Sequence, residues 1–282
     1  MSPLPISLFA ALLQVGPAPS LPPSPSAVPP ELSELRERQQ AEQREREDAR
    51  QDGSAAQLIA DCRDQALRDG VAAETDAQSW LAVARGGERA AAQHCLGLAL
   101  ANQGKWQDAA EAFDAAHGHA ADAPAYYRAQ LLALAGNARL ALGENQRALD
   151  LLDAADAQDA RTLEGEIAID RARALVALDR AGDAAQALAR AREIAPDNAL
   201  GWLLSATLSR RMDDLASAQQ QIERAATLDP EDPAIGLEAG VIAALLERDE
   251  AAKGSWQSVI ALAPESSQAD AAQAYLAQLD AE

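Results

Sequence analysis

From Gly165 to Ser266 the hydrophobic and polar positions repeat three times at a spacing of 34 residues. Each copy ends at a proline, in Ala195-Pro196-Asp197, Asp229-Pro230-Glu231 and Ala263-Pro264-Glu265. Five residues before each proline stands a small or β-branched residue (Ala191, Ala225, Val259), and seven before that an alanine (Ala184, Ala218, Ala252). Each copy also divides into two amphipathic runs. In Ala199–Asp232 the first carries Trp202, Leu203, Ala206 and Leu208, and the second Leu215, Ala218, Ile222, Ala225 and Leu228, at helical steps. The pattern predicts two helices per unit. Alanine at the recurrent positions lets their axes approach closely. Proline lacks a backbone donor and disfavours helical geometry in the residue before it, so it ends the second helix. One such pair cannot cover its own apolar face, and the units must therefore stack on one another.

This spacing resembles the tetratricopeptide repeat (TPR) family. Trp202, Ala206, Ala218, Ile222, Ala225 and Pro230 fall on that family's recurrent positions in residues 199–232. Ala172, Leu175, Ala184, Leu188, Ala191 and Pro196 do so in 165–198, and Gly240, Ala252, Trp256 and Pro264 in 233–266. The resemblance implies an all-α fold, a right-handed α-solenoid of helix pairs closed by a C-terminal capping helix. Ala269–Leu279, with Ala272, Tyr275 and Leu276, is the expected cap within residues 267–282.

Upstream, Ala90–Ala123 is another unit, through Leu96, Gly97, Leu100, Gly104, Ala109, Phe113 and Ala116, and the short excursion Pro124–Tyr127 follows. The unit over 128–162 is the least regular. Its second helix phases through Ala148, Leu152 and Ala155. Its first phases from Arg128 with Leu131, Leu134, Ala135 and Ala138 inward, one residue out of step, which predicts an extra residue in the turn around Gly143. Residues 55–89 form a degenerate pair: an apolar stripe through Leu58, Ile59, Cys62 and Ala66, then a short helix near Thr75–Ala84 with Trp80 and Leu81.

The first 54 residues have a different character. Met1–Ala18 is uncharged and apolar through Leu4, Ile6, Leu8, Phe9, Leu12, Leu13 and Val15, too short to span a bilayer. With Gly16-Pro17-Ala18 as a small-residue cleavage site it fits a secretory signal, although no basic residue precedes it. Pro19–Pro30 is a proline-rich linker, and Glu31–Asp52 a charged arm with favourably ordered pairs such as Glu34/Arg38 and Glu42/Arg46. A mature chain would thus carry no transmembrane span.

Composition sharpens this picture. Aromatic residues are only 3% against 48% hydrophobic, so the core is alanine and leucine, as close-packed helices require and strands would not. A net charge of −20 argues against a nucleic-acid partner, which needs a basic face.

Chemical candidates are few. Cys62 and Cys95, the only cysteines, lie on apolar stripes of helices expected to be neighbours. In an oxidising compartment they would form a disulfide, worth roughly 3–4 kcal/mol by loop closure; in a reducing one they would be buried thiols. Asp114, His117, His119 and Asp122 lack any recognised metal-ligand spacing. No phosphate loop, nucleophile elbow or acid pair appears, so no catalytic residue, metal or cofactor is expected.

What remains is the concave face, which the resemblance assigns to the first helix of each unit. It would include His94 and Asn102, then Arg139, Glu166, Ile169, Arg173 and Val176, and further along Leu203, Thr207, Arg210, Arg211, Leu237, Val241 and Leu245. In so acidic a chain the arginines Arg139, Arg173, Arg210 and Arg211 suit an acidic-apolar segment or a free C-terminus, with Leu203, Thr207, Leu237 and Val241 adjoining. The family's carboxylate-clamp pattern is not reproduced, so chaperone-tail binding is not implied. The reading is a non-enzymatic adaptor binding a protein or peptide in a bacterial periplasm or outside the cell. Two others stand against it: a cytoplasmic scaffold or regulator with reduced cysteines, and a thiol- or metal-based enzyme built on the solenoid.

Overall fold

The computed structural model describes residues 57–158 and 160–279; the signal-like run over 1–18 and the linker and arm over 19–54 lie outside the described residues. Among the described residues there are thirteen helices and no strand. They are α1 (57–68), α2 (Gly70–Val83), α3 (Glu88–Asn102), α4 (Trp106–His119), α5 (Ala125–Ala141) and α6 (Asn145–Asp156). Then follow α7 (Glu164–Ala177), α8 (Ala181–Ile194), α9 (Ala199–Arg211), α10 (Leu215–Leu228), α11 (Pro233–Leu245), α12 (Asp249–Leu262) and α13 (Ser267–Leu279). Each helix packs on the next, α3 on α4 through to α12 on α13. The result is an α-solenoid of TPR-type pairs.

The five pairs from α3 onward share one turn. Its middle residue has positive φ in every case: Gly104 (72°), Gly143 (75°), Asp179 (59°), Asp213 (64°) and Glu247 (57°). The next residue's N–H then reaches back five residues to a carbonyl of the first helix: Lys105 to Leu100, Glu144 to Arg139, Arg180 to Leu175, Asp214 to Ser209 and Arg248 to Ala243, all at 2.9–3.0 Å. This is the left-handed helix ending of the Schellman type. Two of the five use glycine; the other three hold a side chain in the left-handed region.

That bond corrects the register of the least regular unit. No residue is inserted around Gly143. Its turn has the same three-residue length as the others, and Arg139 falls on the position held by Leu100, Leu175, Ser209 and Ala243. The irregularity lies at the other end, where α5 begins early, at Ala125 directly after Pro124. The α2 helix also begins earlier than the hydrophobic pattern suggested, at Gly70, because the Asp69 carboxylate accepts from the Val71 and Ala72 amides.

Sequence-encoded caps set the later boundaries. Asn198 accepts from the amides of Leu200 and Gly201, Asp232 from Ala234 with Pro233 in the first turn, and the Ser266 hydroxyl from Ala269. Within each pair the contact follows size complementarity. Gly97 faces Phe113, Gly136 faces Leu152, and Gly240 faces Trp256. At the equivalent positions Ala172 and Ala206, the second helix supplies Leu188 and Ile222. The recurrent alanines Ala109, Ala148, Ala184, Ala218 and Ala252 are all fully buried. At the C-terminus Trp256 also stacks on Tyr275 of α13, centroids 5.3 Å apart.

Candidate functional site

The first helices α5, α7, α9 and α11 form a continuous face. Asn137 on α5 donates to Asp170 on α7 at 2.7 Å, and Arg210 on α9 donates to Glu238 on α11 through Nε at 2.7 Å and Nη2 at 3.3 Å. Along this face one row of equivalent positions reads Asn137, Arg173, Thr207, Val241 and Tyr275. A second row contains Arg211 and Leu245, both exposed.

Several expected groove residues are elsewhere. Arg139 is only 2% exposed. One residue of register turns a helical side chain by about 100°, so the corrected register aims Arg139 away from the face and between helices. There it meets Asp114 of α4 at 2.9 Å and Glu144 at 3.2 Å, and Arg147 approaches both carboxylates at 3.6 Å. It is a structural tie, not a ligand-facing cation. Leu203 is buried in the seam with Ile235 and Ile242, because its position is where consecutive first helices touch. His94 is likewise core, packed edge-on to Phe113 with Nδ1 3.3 Å from the Tyr127 hydroxyl. Burial lowers its pKa to about 4, and burial raises that of Tyr127.

Arg210 is committed to Glu238, a carboxylate that is itself mostly buried. Arg173 donates to Asp170 at 3.2 Å yet remains half-exposed. Burial holds the Asp170 carboxyl above its usual range, partly offset by Asn137 and Arg173. Arg211 is exposed and forms no ion pair among the described residues. Thr207, Leu237 and Val241 are half-buried, the last two resting on the Trp256 cluster. Sequence reasoning missed Asn137, Asp170 and Glu238, the polar links across repeats. The available signal was an acidic residue at one recurrent position of both α7 and α11.

At the N-terminal end, Cys62 on α1 and Cys95 on α3 have Cα atoms 5.7 Å apart and sulfurs in contact. Lys105 and Gln103 bind Glu74 of α2 at 2.8 and 2.9 Å, which lowers the Glu74 pKa, chiefly through Lys105. Among the described residues no group of three or more His, Cys, Asp or Glu is placed to hold a metal ion, and no helix is long and apolar enough to cross a membrane.

Helix pairs joined by a common turn, with small residues at the pair contact and a single closing helix, define the class: a TPR-type α-solenoid. No family model matches the sequence, and no curated protein matches it. Solved structures do. BtubC (BKLC) from P. vanneervenii is 16% identical, over 76% of this chain and 90% of that one, with a TM-score of 0.56. TTC0263, a thermophilic TPR protein of Thermus thermophilus, is 18% identical over 67% of this chain and 98% of its own, with a TM-score of 0.55. MamA from Desulfovibrio magneticus RS-1, from residue 41 onward, is 17% identical over 65% and 99%, with a TM-score of 0.52. The likeness is one of fold.

Proposed function

We propose that this chain is a non-enzymatic adaptor that holds a polypeptide segment along the face of its first helices, in a bacterial periplasm. The observation that carries the reading is the character of that face. In a chain of net charge −20 it presents Arg173 and Arg211 beside Thr207, Val241 and exposed Leu245. An apolar segment bearing a carboxylate, from an acidic side chain or a free C-terminus, complements it: arginine pins a carboxylate with parallel hydrogen bonds while the aliphatic positions desolvate the contact. Arg139, Leu203 and Arg210 serve the scaffold instead. The proximity of Cys62 and Cys95 supports a disulfide, and the apolar N-terminal run supports export.

The test is capture of partners from envelope extract by the wild-type chain and by Arg173→Ala combined with Arg211→Ala. The control, Arg63→Ala with Arg180→Ala, removes the same charge at exposed ion pairs on α1 and in the turn between α7 and α8. Loss confined to the first variant supports the site; equal loss in both, or in neither, refutes it.

A further inference from the structure

The N-terminal helices line an open cleft of about 290 Å³ whose residues take no part in the function proposed above. Its apolar lining comes from Leu58, Ala73, Ala77 and Trp80, over the Cys62–Cys95 pair. Asp61 of α1 and Asp76 of α2 supply its charge. The two carboxylates are held in place: Gln57 donates to Asp61 at 2.8 Å, and Gln65, itself a lining residue, to Asp76 at 2.7 Å. Neither is paired with a basic side chain among the described residues. Arg63 takes Asp64, and Lys105 takes Glu74. Leu58 at the cleft remains 47% exposed.

We propose that this cleft receives an arginine side chain of a partner polypeptide. The chemistry is complementary on three counts. An apolar lining flanked by carboxylates suits a side chain with a methylene stem and a cationic head. The Trp80 indole offers the guanidinium a π-face, on which arginine stacks better than lysine. Two acceptors from different helices match a planar fork with several donors. The volume accommodates a guanidinium and its stem with room to spare, and a side chain seated in such a cleft would act as an anchor of the kind that dominates protein interfaces. The surrounding negative charge would draw a basic segment toward it.

The experiment uses the full chain in its oxidised form and two small probes, Nα-acetyl-arginine amide and its neutral isostere Nα-acetyl-citrulline amide, titrated under amide and indole NMR observation. The arginine probe is expected to saturate, moving the Trp80 indole and the amides of Ala73 and Ala77, and the citrulline probe to bind at least about tenfold more weakly, the scale of losing charge-assisted hydrogen bonds. Asp61→Asn with Asp76→Asn, both exposed side chains, should remove that preference while leaving the helical spectrum unchanged. Equal binding of the two probes would show only an apolar hole and overturn the proposal. So would saturation that leaves the α1 and α2 signals unmoved, or a preference that survives the double variant. Tighter binding of Nα-acetyl-lysine amide than of the arginine probe would overturn the choice of arginine.

Discussion

Replacing Gly240 by alanine sets two opposed effects against each other. Alanine in a helix interior is favoured over glycine by about 1 kcal/mol, through backbone entropy. At Gly254 on α12 an added methyl meets nothing within 4 Å, so Gly254→Ala should show that gain undiluted. At Gly240 the same methyl would sit 2.5 Å from Trp256 Cδ1 and 2.7 Å from Cε2, and at Gly97 2.5 Å from Phe113 Cε1 and 2.6 Å from Cδ1. Real methyl groups do not approach so closely. The ring must turn or the helices part, and overpacking of this kind costs about 1–3 kcal/mol. Trp256 is 3% exposed and also carries the stack on Tyr275, so its ring has little room to yield. The expected net is destabilisation by on the order of 1–2 kcal/mol for Gly240→Ala and Gly97→Ala. At Gly136 the obstacle is the branched end of Leu152 at 2.9 Å, a more adaptable neighbour, and a smaller loss is expected.

The assay is urea denaturation followed by circular dichroism, with the m-value checked for each variant because repeat arrays can lose cooperativity. A double-mutant cycle supplies the decisive number. Trp256→Leu on the Gly240→Ala background recreates the pairing seen at Ala172 with Leu188, so the two changes should rescue one another by on the order of 1–3 kcal/mol. If Gly240→Ala raises the midpoint as Gly254→Ala does, or the coupling is nil, small-against-large matching does not set the pair contact.

Acid should unfold the array earlier than its carboxylates alone would dictate. His94 is held neutral with its pKa near 4 against 6.5 for an ordinary histidine, so between those values the unfolded chain binds the extra proton and stability falls as pH falls. The loss is about 3 kcal/mol at most. His94→Gln should flatten that part of the stability–pH curve, and an unchanged slope would refute the assignment. Asp170 acts with the opposite sign. Its raised pKa means that stability falls as pH rises above the ordinary aspartate value, so Asp170→Asn should steepen the acid-side slope. For export, intact mass from a secreting bacterial host should give a chain starting near Pro19 with no alkylatable thiol; Met1 retained together with two alkylated cysteines rejects the periplasmic reading.

The pair architecture was legible because each element of it is written locally. A proline after the second helix, an Asn, Asp or Ser cap before the next first helix, and alanine at the contact all recur at one spacing. The start of α2 was missed for a different reason: Asp69 fixes that boundary by a side-chain cap, and Gly70 beside it disguises the helix. Contacts between repeats were less legible still. Asn137 with Asp170 and Arg210 with Glu238 join residues 33 and 28 apart. Such pairs depend on how one unit is rotated on the next, which no hydrophobic period reports.

Arg139 shows how the two kinds of information interact. Its helix has an acceptable apolar stripe in either of two phases one residue apart, because alanine and leucine occupy most positions of α5. Only the turn breaks the tie. Gly143 must be the left-handed residue, Glu144 must then bond back to the Arg139 carbonyl, and the side chain of Arg139 is thereby aimed at α4. A buried guanidinium is tolerable there because Asp114 and Glu144 meet it and Arg147 balances their second charge. In an alanine-rich solenoid, then, turn geometry is a better guide to register than hydrophobicity. A first-helix side chain can be assigned a direction only after its unit has been anchored at the turn; anchored in this way, Arg173 and Arg211 are exposed while Arg139 is buried against α4.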